Sequence, residues 1–183
     1  ETIHATTVAS GGRAVVITGP SGSGKSDLAL RLLDRGFTLV SDDQTIVHRQ
    51  GDRLIASAPQ RIAGKLEVRG LGILNIRALF GDNSVKPTKP LDLIIQLEMA
   101  DKQEPQLLDR LSIKRQHEEV LSVKIPKVKI PIAAGRNIAA RAGSLGSSWL
   151  KQFGHDPAGS GERHSGARST PHGSKLGPST PAP

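Results

Sequence analysis

The stretch Gly19-Pro20-Ser21-Gly22-Ser23-Gly24-Lys25-Ser26 completes the pattern G-x-x-x-x-G-K-[ST], that of a phosphate-binding loop, or P-loop. Glycines let backbone N–H groups close around phosphate oxygens, and the N-terminus of a following helix adds a partial positive charge. Lys25 suits the outer phosphates of a nucleotide such as ATP, and the Ser26 hydroxyl suits a Mg²⁺ ligand. An ordinary glycine-rich turn that happens to hold a lysine is the bland alternative. It is disfavoured by the flanks, an apolar run before the loop and an amphipathic stretch after it. Such a loop names a superfamily and leaves the reaction open.

Two further clusters carry chemistry. Asp42-Asp43 closes the strand expected after the loop's helix. In a parallel α/β sheet the carboxyl ends of neighbouring strands line one crevice, so these acids should face the phosphates. One could hold Mg²⁺ directly or through water while the other takes a proton from an attacking hydroxyl. Read blandly, the pair is an Asp-rich turn leading into a hairpin. Glu67-Val68-Arg69-Gly70-Leu71-Gly72-Ile73-Leu74-Asn75-Ile76 sets two glycines beside a Glu and an Arg, ahead of an apolar strand. That composition fits a functional loop brought close to a ligand and fits a bulged strand entry equally well. His48, His117, His155, His164 and His172 show no metal-ligand spacing.

The elements that must position these residues follow from periodicity. Ile3 to Val8 reads as a strand, Gly11-Gly12 as a turn and Ala14 to Thr18 as a buried strand. Leu28, Leu32 and Leu33 fall at helical spacing on Asp27 to Arg35, with Gly36 where a C-cap belongs. Phe37 to Ser41 is the next strand, Thr45 to Ala58 a hairpin turning at Gly51-Asp52, and Leu91 to Leu97 another strand. Leu107 to Val120 has helix-forming composition with a ragged apolar face. Lys124, Lys127 and Lys129 along Val123 to Ile130 suit an exposed edge strand protected by charge. The class is α/β with a sizeable mixed sheet.

Composition limits what this domain can do. The 183 residues allow one domain with a real core, and the absence of cysteine excludes disulfides, thiolate catalysis and cysteine-ligated zinc. No apolar run approaches the roughly 20 residues that span a bilayer, so no membrane role is expected and the cytoplasm is the simplest address. Glu1 in place of Met suggests a trimmed N-terminus. The net charge of +8 makes nucleic acid a partner to consider. Three Phe, one Trp and no Tyr leave few platforms for stacking bases, so a basic surface on a phosphate-handling protein is the preferred reading. From Gly154 to Pro183, 6 Gly, 5 Pro, 5 Ser and 2 Thr accompany one large aliphatic residue, Leu176. That segment cannot bury enough apolar area to offset its ordering entropy, which predicts a domain over 1–153 and a disordered tail over 154–183.

Taken together, the pieces resemble the catalytic domain of the HPr kinase/phosphorylase family, bacterial enzymes that phosphorylate a serine of the phosphocarrier protein HPr and also remove that phosphate. Four blocks carry the resemblance: Gly19 to Ser26, Leu39-Val40-Ser41-Asp42-Asp43, Glu67 to Ile76, and Pro131-Ile132-Ala133-Ala134-Gly135-Arg136-Asn137. It implies a P-loop domain of the phosphoenolpyruvate-carboxykinase-like type, using ATP and Mg²⁺. It further implies that Asp43 is the proton acceptor of phosphorylation and the donor of the reverse reaction. Lys25 matches the family's catalytic lysine, His4 an active-site histidine, and Ser26 and Glu67 the Mg²⁺ ligands. Leu108-Asp109-Arg110-Leu111-Ser112 resembles the family's Asp-Arg-Leu-Gly segment, so Arg110 takes the place of its active-site arginine.

The chain departs from the family pattern in several places. Ala5 follows the histidine where glycine is usual, and Ala133 and Ala134 replace the first arginine and the proline of P-V-R-P-G-R, a loop tied to dephosphorylation. Gly143, Gly146, Ser147 and Ser148 interrupt an expected terminal helix. Gly19 lies too near Glu1 to leave room for the family's amino-terminal domain. The expected partner is an HPr-like phosphocarrier, and the expected assembly is a homo-oligomer, a hexamer by resemblance. Two other classes stay open: a different P-loop enzyme acting on a small-molecule hydroxyl or hydrolysing nucleotide, and a non-catalytic nucleotide-sensing or nucleic-acid-binding module.

Overall fold

The structure is a computed structural model that describes residues 1–99 and 115–132. Strands β1 (Thr2–His4), β2 (Thr6–Ser10) and β3 (Arg13–Thr18) lead into helix α1 (Lys25–Asp34). Strand β4 (Thr38–Ser41) follows, then β5 (Gln44–Gln50) and β6 (Arg53–Ser57). A small hairpin, β7 (Lys65–Val68) and β8 (Gly72–Asn75), runs straight into the short helix α2 (Ile76–Phe80). The long β9 (Thr88–Met99), β10 (Arg115–Val120) and β11 (Val123–Ile132) complete the described elements.

The expected elements of the first hundred residues are present with small shifts. The strand expected over Ile3 to Val8 is two strands, broken at the fully buried Ala5. Helix α1 begins at Lys25, directly after the glycine-rich loop as expected, and Gly36 (φ 90°) follows its C-cap Arg35. The Gly51-Asp52 turn joins β5 and β6 in register, with Gln50 opposite Arg53.

Strand β9 organises the sheet. Its first residues, Thr88 to Pro90, pair antiparallel with β6, Leu91 to Gln96 pair parallel with β3, and Ile94 to Met99 pair parallel with β11. Beyond β3 the order continues through β2 to β4, each pair antiparallel. Strand β4 therefore runs in the same direction as β3 without touching it, because β2 lies between them. The other arm of this curled sheet runs from β6 through β5 to β1.

Side-chain alternation gives the sheet two buried faces. Ile17 and Leu97, both fully buried, join Val8 and Leu39 under α1, whose Leu28, Ala29, Leu32 and Leu33 face them. Leu66 and Val68 of β7 and Ile76 of α2 extend the same cluster. Val16 and Ile94 point the other way and pack with Val47 and Leu54 of the second arm, together with Val120 and Ile125.

Two expectations are corrected at the C-terminal end of the described chain. Residues 115–120 are strand, not helix, paired residue for residue with β11 from Arg115 opposite Val128 to Val120 opposite Val123. Cross-strand pairing outweighs the helix-forming composition of Gln116 to Glu119, as tertiary context commonly does. Residues 107–114 lie outside the described residues. Strand β11 is also not an edge: it lies between β10 and β9. Its lysines neutralise acids on both neighbours, Lys127 Nζ 2.6 Å from Glu118 and Lys129 Nζ 2.8 Å from Glu98. Pro126 precedes the pairing with β9 and Pro131 lies beyond the pairing with β10, so each proline falls where one flank alone is paired.

Candidate active site

The topology gathers the chemistry at one edge of the sheet. Strands β3, β4, β9 and β11 all end there, and the antiparallel β2 begins there. The result is an open cleft of about 1000 Å³ lined by His4, Thr6, Ser21 to Asp27, Arg31, Asp42, Asp43, Glu67 to Gly70, Gly72, Met99 and Ile132. The expectation that Asp42-Asp43 and the glycine-rich loop share a crevice is met. The route differs, because β3 and β4 are not hydrogen-bonded neighbours; the antiparallel β2 between them contributes Thr6 to the same edge, and β1, which leads into β2, contributes His4.

Asp42 ties this edge together. Its carboxylate is buried (5% exposed). Oδ1 accepts the Thr6 hydroxyl at 2.7 Å and the Ser26 hydroxyl at 3.1 Å, while Oδ2 accepts the backbone N–H of Glu67 at 2.8 Å. One carboxylate thus links the start of β2, the first turn of α1 and the β7–β8 hairpin. Sequence reading assigned no part to Thr6; the available signal was its place two residues after His4 on the same expected strand.

Asp43 stands beside it in a different state. Its backbone has φ 63°, a left-handed conformation that Asp tolerates better than most residues. Here the chain leaves β4 and turns into β5, and β1 turns into β2 alongside, with the Ala5 N–H donating to Asp43 O. Because His4 pairs with Gln44 across β1 and β5, the imidazole falls next to Asp43, with Nδ1 3.1 Å from Oδ1. Both side chains are more than half exposed to the cleft. A solvent-facing carboxylate oriented by an imidazole, on strained backbone, is the kind of feature associated with reacting centres.

The glycine-rich loop between β3 and α1 is built for an anion. Gly24 is the N-cap of α1 and has no side chain to accept the first-turn N–H groups. Lys25 is buried (8% exposed), and Nζ donates to the carbonyls of Gly19 and Pro20, each at 3.0 Å. No carboxylate pairs with it among the described residues. A buried ammonium held by neutral carbonyls alone is a standing electrostatic demand for a negative ligand. Ser23 Oγ is buried and has no hydrogen-bond partner, a second unmet polar group within the loop. Gly19 is sterically fixed, since a Cβ there would stand 2.8 Å from Leu97 O and 2.9 Å from Ser23 Oγ.

The Glu67 to Ile76 block is a β-hairpin with its turn at the cleft. Gly70 (φ 85°) and Gly72 (φ 83°) make the reversal, and Glu67 and Arg69 line the cleft. Among the described residues no cluster of three or more His, Cys, Asp or Glu side chains is arranged for a metal. Mg²⁺ usually takes one or two protein ligands together with phosphates and water. The Ser26 hydroxyl beside Asp42, with Glu67 facing the same cleft, fits that modest requirement. Arg110 and residues 133–137 lie outside the described residues. The strands that precede those two segments, β9 and β11, end in the cleft at Met99 and Ile132.

Known proteins resemble this chain in sequence and in fold. Residues 1–155 match the family described as HPr Serine kinase C-terminal domain. A protein of Chromobacterium violaceum named HPr kinase/phosphorylase is 48% identical over 140 residues, 76% of this chain and 44% of the relative. One of the same name from Geobacillus thermodenitrificans is 42% identical over 138 residues, 75% of this chain and 44% of that protein. The chain thus spans less than half the length of these curated relatives. Among solved structures, that of the Hpr(Ser) kinase/phosphatase from Coxiella burnetii superposes with a TM-score of 0.71 at 33% identity, covering 84% of this chain and 92% of that one. By sequence and by fold, the chain belongs to the HPr Serine kinase C-terminal domain family.

Proposed function

We propose that this domain transfers the γ-phosphoryl group of ATP to a serine hydroxyl on an HPr-like phosphocarrier protein. The observation that carries the reading is Lys25, a buried ammonium without a carboxylate partner among the described residues, in the cleft that also holds the exposed Asp43–His4 pair. In the forward reaction Asp43 accepts the serine proton while the serine oxygen bonds to the γ-phosphorus. The bond from that phosphorus to the β–γ bridging oxygen breaks, and ADP departs. His4 orients Asp43, Lys25 neutralises charge on the outer phosphates, and Arg110 supports the same charge. Mg²⁺, when bound through Ser26 and Glu67, supplies further neutralisation of the phosphate oxygens. The residues thus act by positioning and electrostatics.

In reverse, an oxygen of inorganic phosphate bonds to the phosphoserine phosphorus, the bond from that phosphorus to the serine oxygen breaks, Asp43 returns the proton to the serine oxygen, and pyrophosphate departs. Ala133 and Ala134 remove a cation and a rigid residue from the family's dephosphorylation loop, so the forward direction is the stronger. The fold is of the phosphoenolpyruvate-carboxykinase-like P-loop type, residues 1–153 carry the catalysis, and the protein works as a cytoplasmic homo-oligomer. No helix among the described residues is long and apolar enough to cross a membrane.

The test is incubation with labelled ATP, with and without an HPr-type phosphocarrier, followed by detection of phosphoserine. Label should pass to the phosphocarrier, and Asp43→Asn should reduce transfer by about 10²- to 10⁴-fold, the usual range for loss of a general base, while nucleotide still binds. Hydrolysis of ATP without transfer would overturn the assigned acceptor. Normal turnover in Asp43→Asn would overturn the assigned base.

A further inference from the structure

Arg69 stands where the β7–β8 hairpin meets the glycine-rich loop. Its Nη2 lies 3.2 Å, Nη1 3.7 Å and Cζ 3.8 Å from the point where a Cβ on Gly22 would sit. The guanidinium therefore lies alongside the bare backbone of the loop, where a side chain on Gly22 would push it aside by a few tenths of an ångström. Arg69 is exposed to the cleft and makes no ion pair or hydrogen bond among the described residues. An unpaired guanidinium beside an anion cradle, with no acid against it among the described residues, is available to an anionic ligand.

The hairpin is also fixed in place. Val68 is buried in the core under α1, and the N–H of Glu67 is held by Asp42, which holds Ser26 as well. Arg69 thus extends from an anchored turn into the cleft that Glu67, Ser26 and Asp43 also line, where the function proposed above puts the reacting end of the nucleotide. The planar fork of a guanidinium matches two oxygens of one phosphate group, which a lysine at the same place does not reproduce.

We infer that Arg69 binds the terminal phosphate of the nucleoside triphosphate, closing the loop from the hairpin side and setting the preference for triphosphate over diphosphate. This rests on the nucleotide-binding part of the function proposed above. Gly22, with no side chain, leaves the guanidinium this position against the loop.

Calorimetric titration of the wild type, Arg69→Ala and Arg69→Lys with ATP and with ADP, in Mg²⁺, tests it. Arg77→Ala, an exposed arginine of α2 outside the cleft, controls for general loss of positive charge. Arg69→Ala should lose tenfold or more in ATP affinity, the scale of a charge-assisted hydrogen bond, and keep ADP affinity within twofold. Arg69→Lys should fall between, and Arg77→Ala should match the wild type for both nucleotides. Equal losses for ATP and ADP, or none for either, would overturn the assignment and leave the kinase reading standing. Failure of the wild type to bind either nucleotide would overturn both.

Discussion

At the scale of single residues, adjacent acids do unlike work because one is inside and the other outside. Asp42 is buried and accepts three hydrogen bonds, two from hydroxyls that can rotate and one from a backbone N–H that cannot. Asp42→Asn should therefore leave either its amide NH₂ facing the Glu67 N–H or two hydroxyls without their acceptor. An unsatisfied buried group costs about 1–3 kcal/mol, and the loss should appear as a lower midpoint in urea unfolding with an unchanged slope. Asp43→Asn, by contrast, should unfold like the wild type, since Asn also tolerates a left-handed φ and Asp43 has no buried partner. Residue type and spacing put the two acids side by side without saying which was which, and only the family resemblance singled out Asp43. That distinction comes from the switch between strands at φ 63°, a long-range consequence of β1 and β5 pairing.

At the scale of elements, local signals were readable wherever a glycine or an alternating run marked the chain. The β3–loop–α1 unit, the β5–β6 hairpin and β9 all lie where periodicity placed them. What sequence could not supply was pairing. Glu67 to Ile76 read equally as loop or strand entry, because a two-stranded hairpin with exposed Leu71 and Ile73 leaves no clean alternation. Residues 115–120 read as helical because Gln and Glu favour helices locally, whereas β11 holds them extended. The lysines of β11 suggested an edge, and only the acids on both neighbours explain them inside the sheet. Hydrogen exchange tests this placement. Amides of Lys127 and Val128, where β11 is paired on both flanks, should be protected, and the outward amides of β10, paired on one flank among the described residues, should exchange faster. Uniformly fast exchange along β11 would contradict it.

At the scale of the whole molecule, the site is an edge where five strands begin or end, so the catalytic groups come from distant parts of the chain on a common framework. His4, Lys25, Asp43 and Glu67 all lie within the first seventy residues, yet the edge that holds them is completed only by β9 and β11. The proposed function assigns no role to residues 154–183. A chain ending at Phe153 should phosphorylate an HPr-type acceptor at the full-length rate and unfold at the same temperature. Loss of transfer with unchanged stability would mean that the C-terminal segment helps to dock the acceptor.

The threefold pairing of β9 also bears on how the protein is made. Ala14 of β3 waits for Leu91, 77 positions later, before its open flank is covered. At about 5–20 residues per second of synthesis, that strand edge stays bare on a nascent chain for roughly 4–15 s, time enough to meet another chain's edge. Contacts so distant in sequence also slow folding once the chain is free. Yield in cells should thus depend on how quickly the ribosome delivers β9.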